Sequence, residues 1–159
     1  MTAQEIHAKL KAQFADAIGE LKEAPPSDPS IKVSAERIKD VADFLHANPD
    51  LSFDFLMCLS GVDYANGNLG VVYNLASMSK RHKIALKVEV SKADAKVPSV
   101  SSIWRTAEWH EREAYDLFGI HFTDHPDMRR ILLPDDWEGY PLRKDYKVPE
   151  FYQGMKVPY

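Results

Sequence analysis

Cysteine is almost missing from this chain: among 159 residues only Cys58 carries a thiol. One thiol excludes an internal disulfide. It also falls short of the four thiolates of an ordinary iron–sulfur cluster or a cysteine zinc site. Long apolar runs are missing too, and none approaches the ~18 residues that a membrane-crossing helix needs. A surplus of positive charge is missing: Lys and Arg number 20 against 24 Asp and Glu, for a formal net charge of -4 and a pI of about 5.8. Such a chain has no electrostatic pull toward nucleic acid or anionic lipid. Glycine-rich phosphate loops are missing as well, since Ser60-Gly61 and Asn66-Gly67-Asn68-Leu69-Gly70 match neither the dinucleotide fingerprint nor the P-loop. The opening Met1-Thr2-Ala3-Gln4-Glu5-Ile6-His7 has neither the basic stretch nor the apolar stretch of an export signal. The expectation is a cytoplasmic chain that binds no nucleic acid and reaches a membrane only through partners.

What is present is ordinary globular composition, 45% hydrophobic and 28% charged, in enough chain for one core. Ile6, Leu10, Phe14, Ala17, Ile18 and Leu21 share one helical stripe, which predicts a helix over 3–22. The proline-rich segment 24–29 ends it, a short strand is predicted at 31–33, and Ser34 is placed to cap a second helix with Ile38, Val41, Ala42, Leu45 and His46 on its apolar face. Three strands follow, at 53–62, 71–78 and 82–90. The first two flank the turn pair Asn66-Gly67, and Cys58 sits in an apolar run as a small buried hydrophobe. In the third, His82, Ile84, Leu86, Val88 and Val90 alternate with polar or small residues, the pattern of a strand buried on one face. A third helix is predicted over 101–118. Its inward stripe is Ile103, Ala107, His110, Ala114 and Leu117, its outer faces carry Glu108, Arg112 and Asp116, and Gly119 stops it. Trp104 and Trp109 read as packing residues. The fold class is α+β, a small mixed or antiparallel sheet flanked by helices over 1–118, followed by a long irregular C-terminal arm over 119–159.

That arm is the unusual part. Pro126, Pro134, Pro141, Pro149 and Pro158 forbid a long regular element. Yet Phe122, Ile131, Leu132, Leu133, Trp137, Tyr140, Leu142, Tyr146, Phe151, Tyr152 and Tyr159 are too large and apolar for a disordered segment. Such a stretch must lay its side chains on a surface, either the chain's own domain or a partner's. Arg112 has Glu108 and Asp116 one turn away as candidate partners, and Arg129 and Arg130 are placed to fork onto carboxylates of the helix or of a partner.

Catalytic readings of these residues are weak. His121 and His125 have metal-binding spacing only on a helix, and Gly119 and Pro126 prevent one. Glu108, Glu111 and Glu113 are interleaved with Arg112 and lack a nucleophile–base constellation, so ion pairing is the better account.

The run Glu111-Arg112-Glu113-Ala114-Tyr115-Asp116-Leu117-Phe118-Gly119-Ile120, with His125-Pro126-Asp127-Met128-Arg129-Arg130, resembles the signature of the C-subunit family of bacterial NADH:quinone oxidoreductase, respiratory complex I. Residues 131–146, from Ile131 through Trp137, Tyr140, Arg143 and Asp145 to Tyr146, are similar to the tail of that family. The resemblance is dense over 98–152. It implies a small α+β subunit without catalytic residues, flavin, iron–sulfur cluster or quinone pocket of its own, FMN and Fe-S centres lying in other subunits. It also implies partners: the large hydrogenase-like D subunit, along which the arm packs, with the B and I subunits nearby, on the cytoplasmic face of the inner membrane. By position, Glu111, Arg112, Glu113, Asp116, His125, Arg129, Arg130, Trp137, Tyr140, Arg143, Asp145 and Tyr146 carry the signature and the expected interface. The equivalent subunit of a photosynthetic-type NDH, an F420H2 dehydrogenase or a membrane-bound hydrogenase shares this tail, and a stand-alone small enzyme is the remaining alternative.

Overall fold

The computed structural model describes residues 1–157; Pro158 and Tyr159, counted above with the arm, lie outside the described residues. Helix α1 (Ala3–Phe14) starts at a capping box, in which the Thr2 hydroxyl accepts from the Glu5 amide and the Glu5 carboxylate accepts from the Thr2 amide. It buries Ile6 and Leu10. It does not run on to residue 22 as the apolar spacing predicts. Ala15, at a φ of 42°, turns the chain through a 3-10 turn into β1 (Ile18–Lys22). Ile18 and Leu21 fit a strand as well as a helix, and pairing with β2 (Ser30–Val33) decides the matter by setting Ile18 opposite Val33 and Leu21 opposite Ile31.

Ser34 makes no side-chain cap. Its carbonyl instead starts a 3-10 turn that leads into α2 (Ile38–Ala47), whose Ile38, Val41, Ala42 and Leu45 are buried. Strands β3 (Phe55–Asp63), β4 (Asn68–Ser77) and β5 (His82–Ser91) form a meander. Gly67, at a φ of 86°, takes the left-handed position that the β3–β4 turn requires. The five-stranded sheet runs β1-β2-β5-β4-β3. All its pairs are antiparallel except β2 with β5, so the sheet is mixed. The alternation read in β5 holds in part: His82, Ile84, Leu86 and Val88 are buried while Lys83 and Lys87 are exposed, but Ala85 is buried as well and Val90 is only half-buried.

A second, small unit joins β6 (Lys96–Pro98) and β7 (His121–Thr123) in parallel, with α3 (Ala107–Phe118) as the crossover between them. Two expectations fail here. First, α3 begins at Ala107, not near 101, because the preceding loop is held by side chains: the Trp104 indole donates to the Phe53 carbonyl at 3.0 Å, and the Val100 amide donates to Glu111 at 2.8 Å. Second, residues after Gly119 are not irregular throughout. β7 is part of the folded domain, Ile120 and Phe122 are buried in the core, and β8 (Phe151–Tyr152) pairs with β9 (Met155–Lys156) in a terminal hairpin.

Candidate functional site

Where α3 meets the arm, the faces of the helix are the reverse of the expected ones. Ala107 and Ala114 point inward as predicted, but His110 and Leu117 are only partly buried, while Glu111, Arg112 and Asp116 are buried. The arm lies over this polar stripe and replaces water as its hydrogen-bond partner.

Asp116 is the centre of the arrangement. One carboxylate oxygen accepts from the amides of Ile131, Leu132 and Leu133 at 3.0, 2.7 and 2.9 Å, and the other takes the Arg130 guanidinium at 2.7 Å. Burial alone would push this carboxyl up; the three N–H groups and Arg130 outweigh it and hold it below the usual carboxylate range. Arg130 also donates to the carbonyls of Asp116, Trp137 and Gly139, so one guanidinium joins the helix to two arm segments. Arg112 pairs with neither Glu108 nor Asp116. It donates to the carbonyls of Arg129 and Arg130 at 3.3 and 3.1 Å and approaches Asp127 at 3.9 Å, with its plane over Trp109. Trp109 itself is 61% exposed, so it is not the packing residue it was predicted to be, whereas Trp104 is.

The left-handed Gly119, at a φ of 72°, ends α3 and brings the chain close to Tyr140 and Arg143. The Arg143 guanidinium donates to the Phe118 carbonyl at 2.6 Å and stacks on Tyr140 at 4.6 Å. Tyr146 lies against Gly139, and Trp137 lies against Tyr152 at 5.0 Å in the terminal hairpin. His125 is fixed between the Glu108 carbonyl and the Asp127 amide, both at 3.0 Å, and therefore turns away from any metal role. Among the described residues no group of three His, Cys, Asp or Glu is arranged to hold a metal ion.

Glu111, Arg112, Asp116, His125, Arg130, Tyr140, Arg143 and Tyr146 are thus gathered along α3 and the arm. Glu113 stands outside, exposed in a cleft beside Cys58 and His110; Arg129 pairs locally with Asp127; and Asp145 is exposed, paired with Lys92. Sequence reasoning missed Asp63. This buried side chain accepts from the Lys144 amide at 2.9 Å and from Lys92 at 3.0 Å. The Lys144 amide above all, then the Ala65 amide and Lys92, lower its pKa to about 2. Its only local sign is the Asp-x-Ala turn, in which Asp63 accepts from the amide two residues on.

The arm's apolar side chains remain in solvent despite these tethers. From Thr123 to Val157 the His125 ring is enclosed but no residue is buried as a whole, and Leu132, Phe151 and Met155 are 62%, 59% and 64% exposed. Leu142 and Val148 are exposed as well. The arm is therefore anchored to its own domain mainly by polar groups, with Met128 against the core and Tyr140 beside Arg143, and it leaves Leu132, Leu142, Val148, Phe151 and Met155 outward.

Known proteins are similar to this chain in sequence and fold. The C subunit of the NADH-quinone oxidoreductase of Chloroherpeton thalassium is 52% identical over 151 residues, which are 94% of this chain and 63% of that protein, so the chain spans less than two thirds of that relative. Its namesake from Chlorobium phaeobacteroides is 48% identical over 153 residues, 94% of this chain and 92% of that one. Among solved structures, the trypsin-resistant fragment (1-134) of Nqo5 is 27% identical with a TM-score of 0.66, covering 80% of this chain and 99% of its own. A chain of the membrane-bound sulfane sulfur reductase, an archaeal respiratory membrane complex, is 26% identical with a TM-score of 0.74, covering 91% of this chain and 85% of its own. Residues 31–152 match the family described as the 30 Kd subunit of respiratory-chain NADH dehydrogenase, and the chain belongs to that family.

Proposed function

We propose that this chain is a peripheral, structural subunit of an NADH–quinone oxidoreductase, and that its arm docks on neighbouring subunits. Electron transfer from NADH through FMN and Fe-S centres to quinone, coupled to proton pumping, belongs to the whole assembly. In this reading the chain holds no cofactor, contributes no reacting group and keeps its neighbours in register. The large hydrogenase-like D subunit receives the arm, the B and I subunits lie nearby, and the chain sits on the cytoplasmic face of the membrane, attached through the complex. No described helix is long and apolar enough to cross a membrane.

The observation that carries this reading is the arm itself. Its backbone is tied down by Asp116, Arg112 and Asp63, while Leu132, Leu142, Val148, Phe151 and Met155 are left in water. Several large apolar groups left exposed on one tethered segment are the kind of surface a partner would cover. The name of one relative, a trypsin-resistant fragment ending at 134, agrees with an arm that lies open to protease when its neighbours are absent. The archaeal neighbour, with its higher TM-score, supports a second reading, the equivalent subunit of a related membrane complex.

Truncation tests the proposal, and the structure sets the cut. Removing everything after Gly119 would take Ile120 and Phe122 out of the core, so the informative variant ends at Leu133, which keeps the three amides on Asp116. This truncated chain should fold but fail to co-purify with the other subunits, and the assembled complex should lose quinone reduction. Wild-type yield and activity of the complex with the truncated chain would overturn the docking role. The identity of the co-purifying subunits separates the two complexes.

A further inference from the structure

Two carboxylates on α3 are wholly buried, and only one has a cation against it. Asp116 has Arg130. Glu111 has neutral partners alone: the Ser99 hydroxyl oxygen at 2.6 Å on one oxygen and the Val100 amide at 2.8 Å on the other. Burial raises its pKa to about 7, against the pull of Ser99 and Val100. The nearest basic group is His125, whose fully buried ring places Nε2 3.9 Å from the Glu111 carboxylate. The remaining groups around it are Lys39 on α2, a weak attraction, and Tyr73 on β4, a buried phenol whose hydroxyl has no hydrogen-bond partner and whose ionisation the Glu111 charge opposes. Asp127, beyond the imidazole, is held ionised by Arg129 across the neutral range.

The bonds of His125 define its state. Its Nδ1 accepts from the Asp127 amide, so the ring proton is on Nε2, donated to the Glu108 carbonyl at 3.0 Å. This pins the turn 125–127, from which the chain runs directly into the Arg129 and Arg130 carbonyls that hold Arg112. The same N–H thus has a neutral carbonyl in contact and a titratable carboxyl less than an ångström farther away.

We propose that Glu111 and His125 form a proton-controlled latch at the root of the arm. With Glu111 protonated, the carboxyl hydrogen is donated to Ser99, whose hydroxyl turns to Ser101 at 2.8 Å, and His125 stays on the Glu108 carbonyl. When Glu111 releases its proton to solvent, Ser99 donates to the carboxylate, and the charged oxygen takes the imidazole N–H, because bonds to ionised acceptors are about twice as strong as neutral ones. The ring then leaves the Asp127 amide and the turn opens. Since the folded-state pKa is raised above the ordinary 4.5, the latch is closed on the acid side and is lost as pH rises through about 7. The consequence for docking rests on the reading of the chain as part of a complex, but the latch does not, and it is tested on the isolated full-length chain.

Carboxyl carbon NMR of glutamate-labelled chain, together with amide exchange corrected for the intrinsic rate, reads both halves. The Glu111 resonance should titrate near 7, apart from the other glutamates, with Glu111→Gln identifying it. Protection of the Asp127 amide should fall about tenfold across that titration, the change carried by one unit of pKa displacement, and should become independent of pH in Glu111→Gln. His125→Gln should keep the Glu111 titration and lose the pH dependence at Asp127, which a merely structural role for His125 does not require. A Glu111 midpoint near 4.5, or unchanging Asp127 protection in the wild type, would overturn the latch, and the second needs no variant.

Discussion

The sheet layer and the arm, joined at Gly119, hold their shapes by opposite means. In the sheet Ile31, Leu69, Val71, Leu75 and Val88 have no exposed surface, and each gives up water for many small contacts. In the arm past Phe122 only the His125 ring is fully enclosed among the described side chains the helix meets, and position is set by a few directed bonds: three amides and a guanidinium on Asp116, two carbonyls on Arg112, one amide on Asp63. Burial is distributed and tolerant. Directed polar anchoring in a desolvated place is concentrated, so a single side chain can release a whole segment. The arm is thereby held in shape mainly by directed bonds, and five of its large apolar side chains stay exposed.

Asp116→Ala offers the sharpest break in this contrast. It should cost on the order of 3 kcal/mol, because Arg130 and three amides lose their partner. Exchange protection should vanish at residues 131–133 and persist in β4 and β5. Equal loss in the sheet would show that the two regions are not separable. Next comes Gly119→Ala. A left-handed alanine costs about 1–2 kcal/mol, and its Cβ would meet the Tyr140 ring at 2.5 Å and Arg143 at 2.6 Å. Thermal unfolding should report the cost, and the Tyr140 and Arg143 resonances should move while those of Phe53 do not.

A pH test addresses the third anchor. Because the Asp63 carboxyl titrates near 2, below its ordinary 3.8, its contribution is complete above that ordinary value and disappears as pH falls through about 2. Protection of the Lys144 amide should follow this acid limb in the wild type, and Asp63→Asn should abolish it. The smallest change in stability is expected from Leu132→Ser with Leu142→Ser, within about 0.5 kcal/mol because both side chains are already in water. Yet this double variant should reduce recovery of the assembled complex more than any change confined to the sheet surface. Unaltered recovery would mean that these two apolar groups are not part of the docking face.

The parts legible in the sequence are those where a local pattern has one solution. The alternation from His82 to Val88, the Asn66-Gly67 turn, and Gly119 as the end of α3 all appear where expected. The failures share a cause. Ile18 and Leu21 suit two structures, and the pairing with β2 selects the strand. Arg112 and Asp116 read as outer-face residues because polar residues on a helix usually are; Arg130 does reach a helix carboxylate as its position allows, but nothing nearby in the chain fixes that the backbone of residues 127–133 folds over them. Asp63 lies 81 residues from Lys144, too far for any spacing rule to connect.

By itself the sequence pointed to an α+β fold, with a proline-interrupted arm too apolar for free solvent and a run of charged and aromatic residues that marks its family. Hydrophobic periodicity, turn chemistry and composition act over a few residues, so they survive in the linear order. Which carboxylates go into the interior, which arginines meet them and which apolar groups stay outside was decided only by the tertiary structure. Those choices depend on desolvation, and a side chain's solvent is set by segments that are distant until the chain has folded.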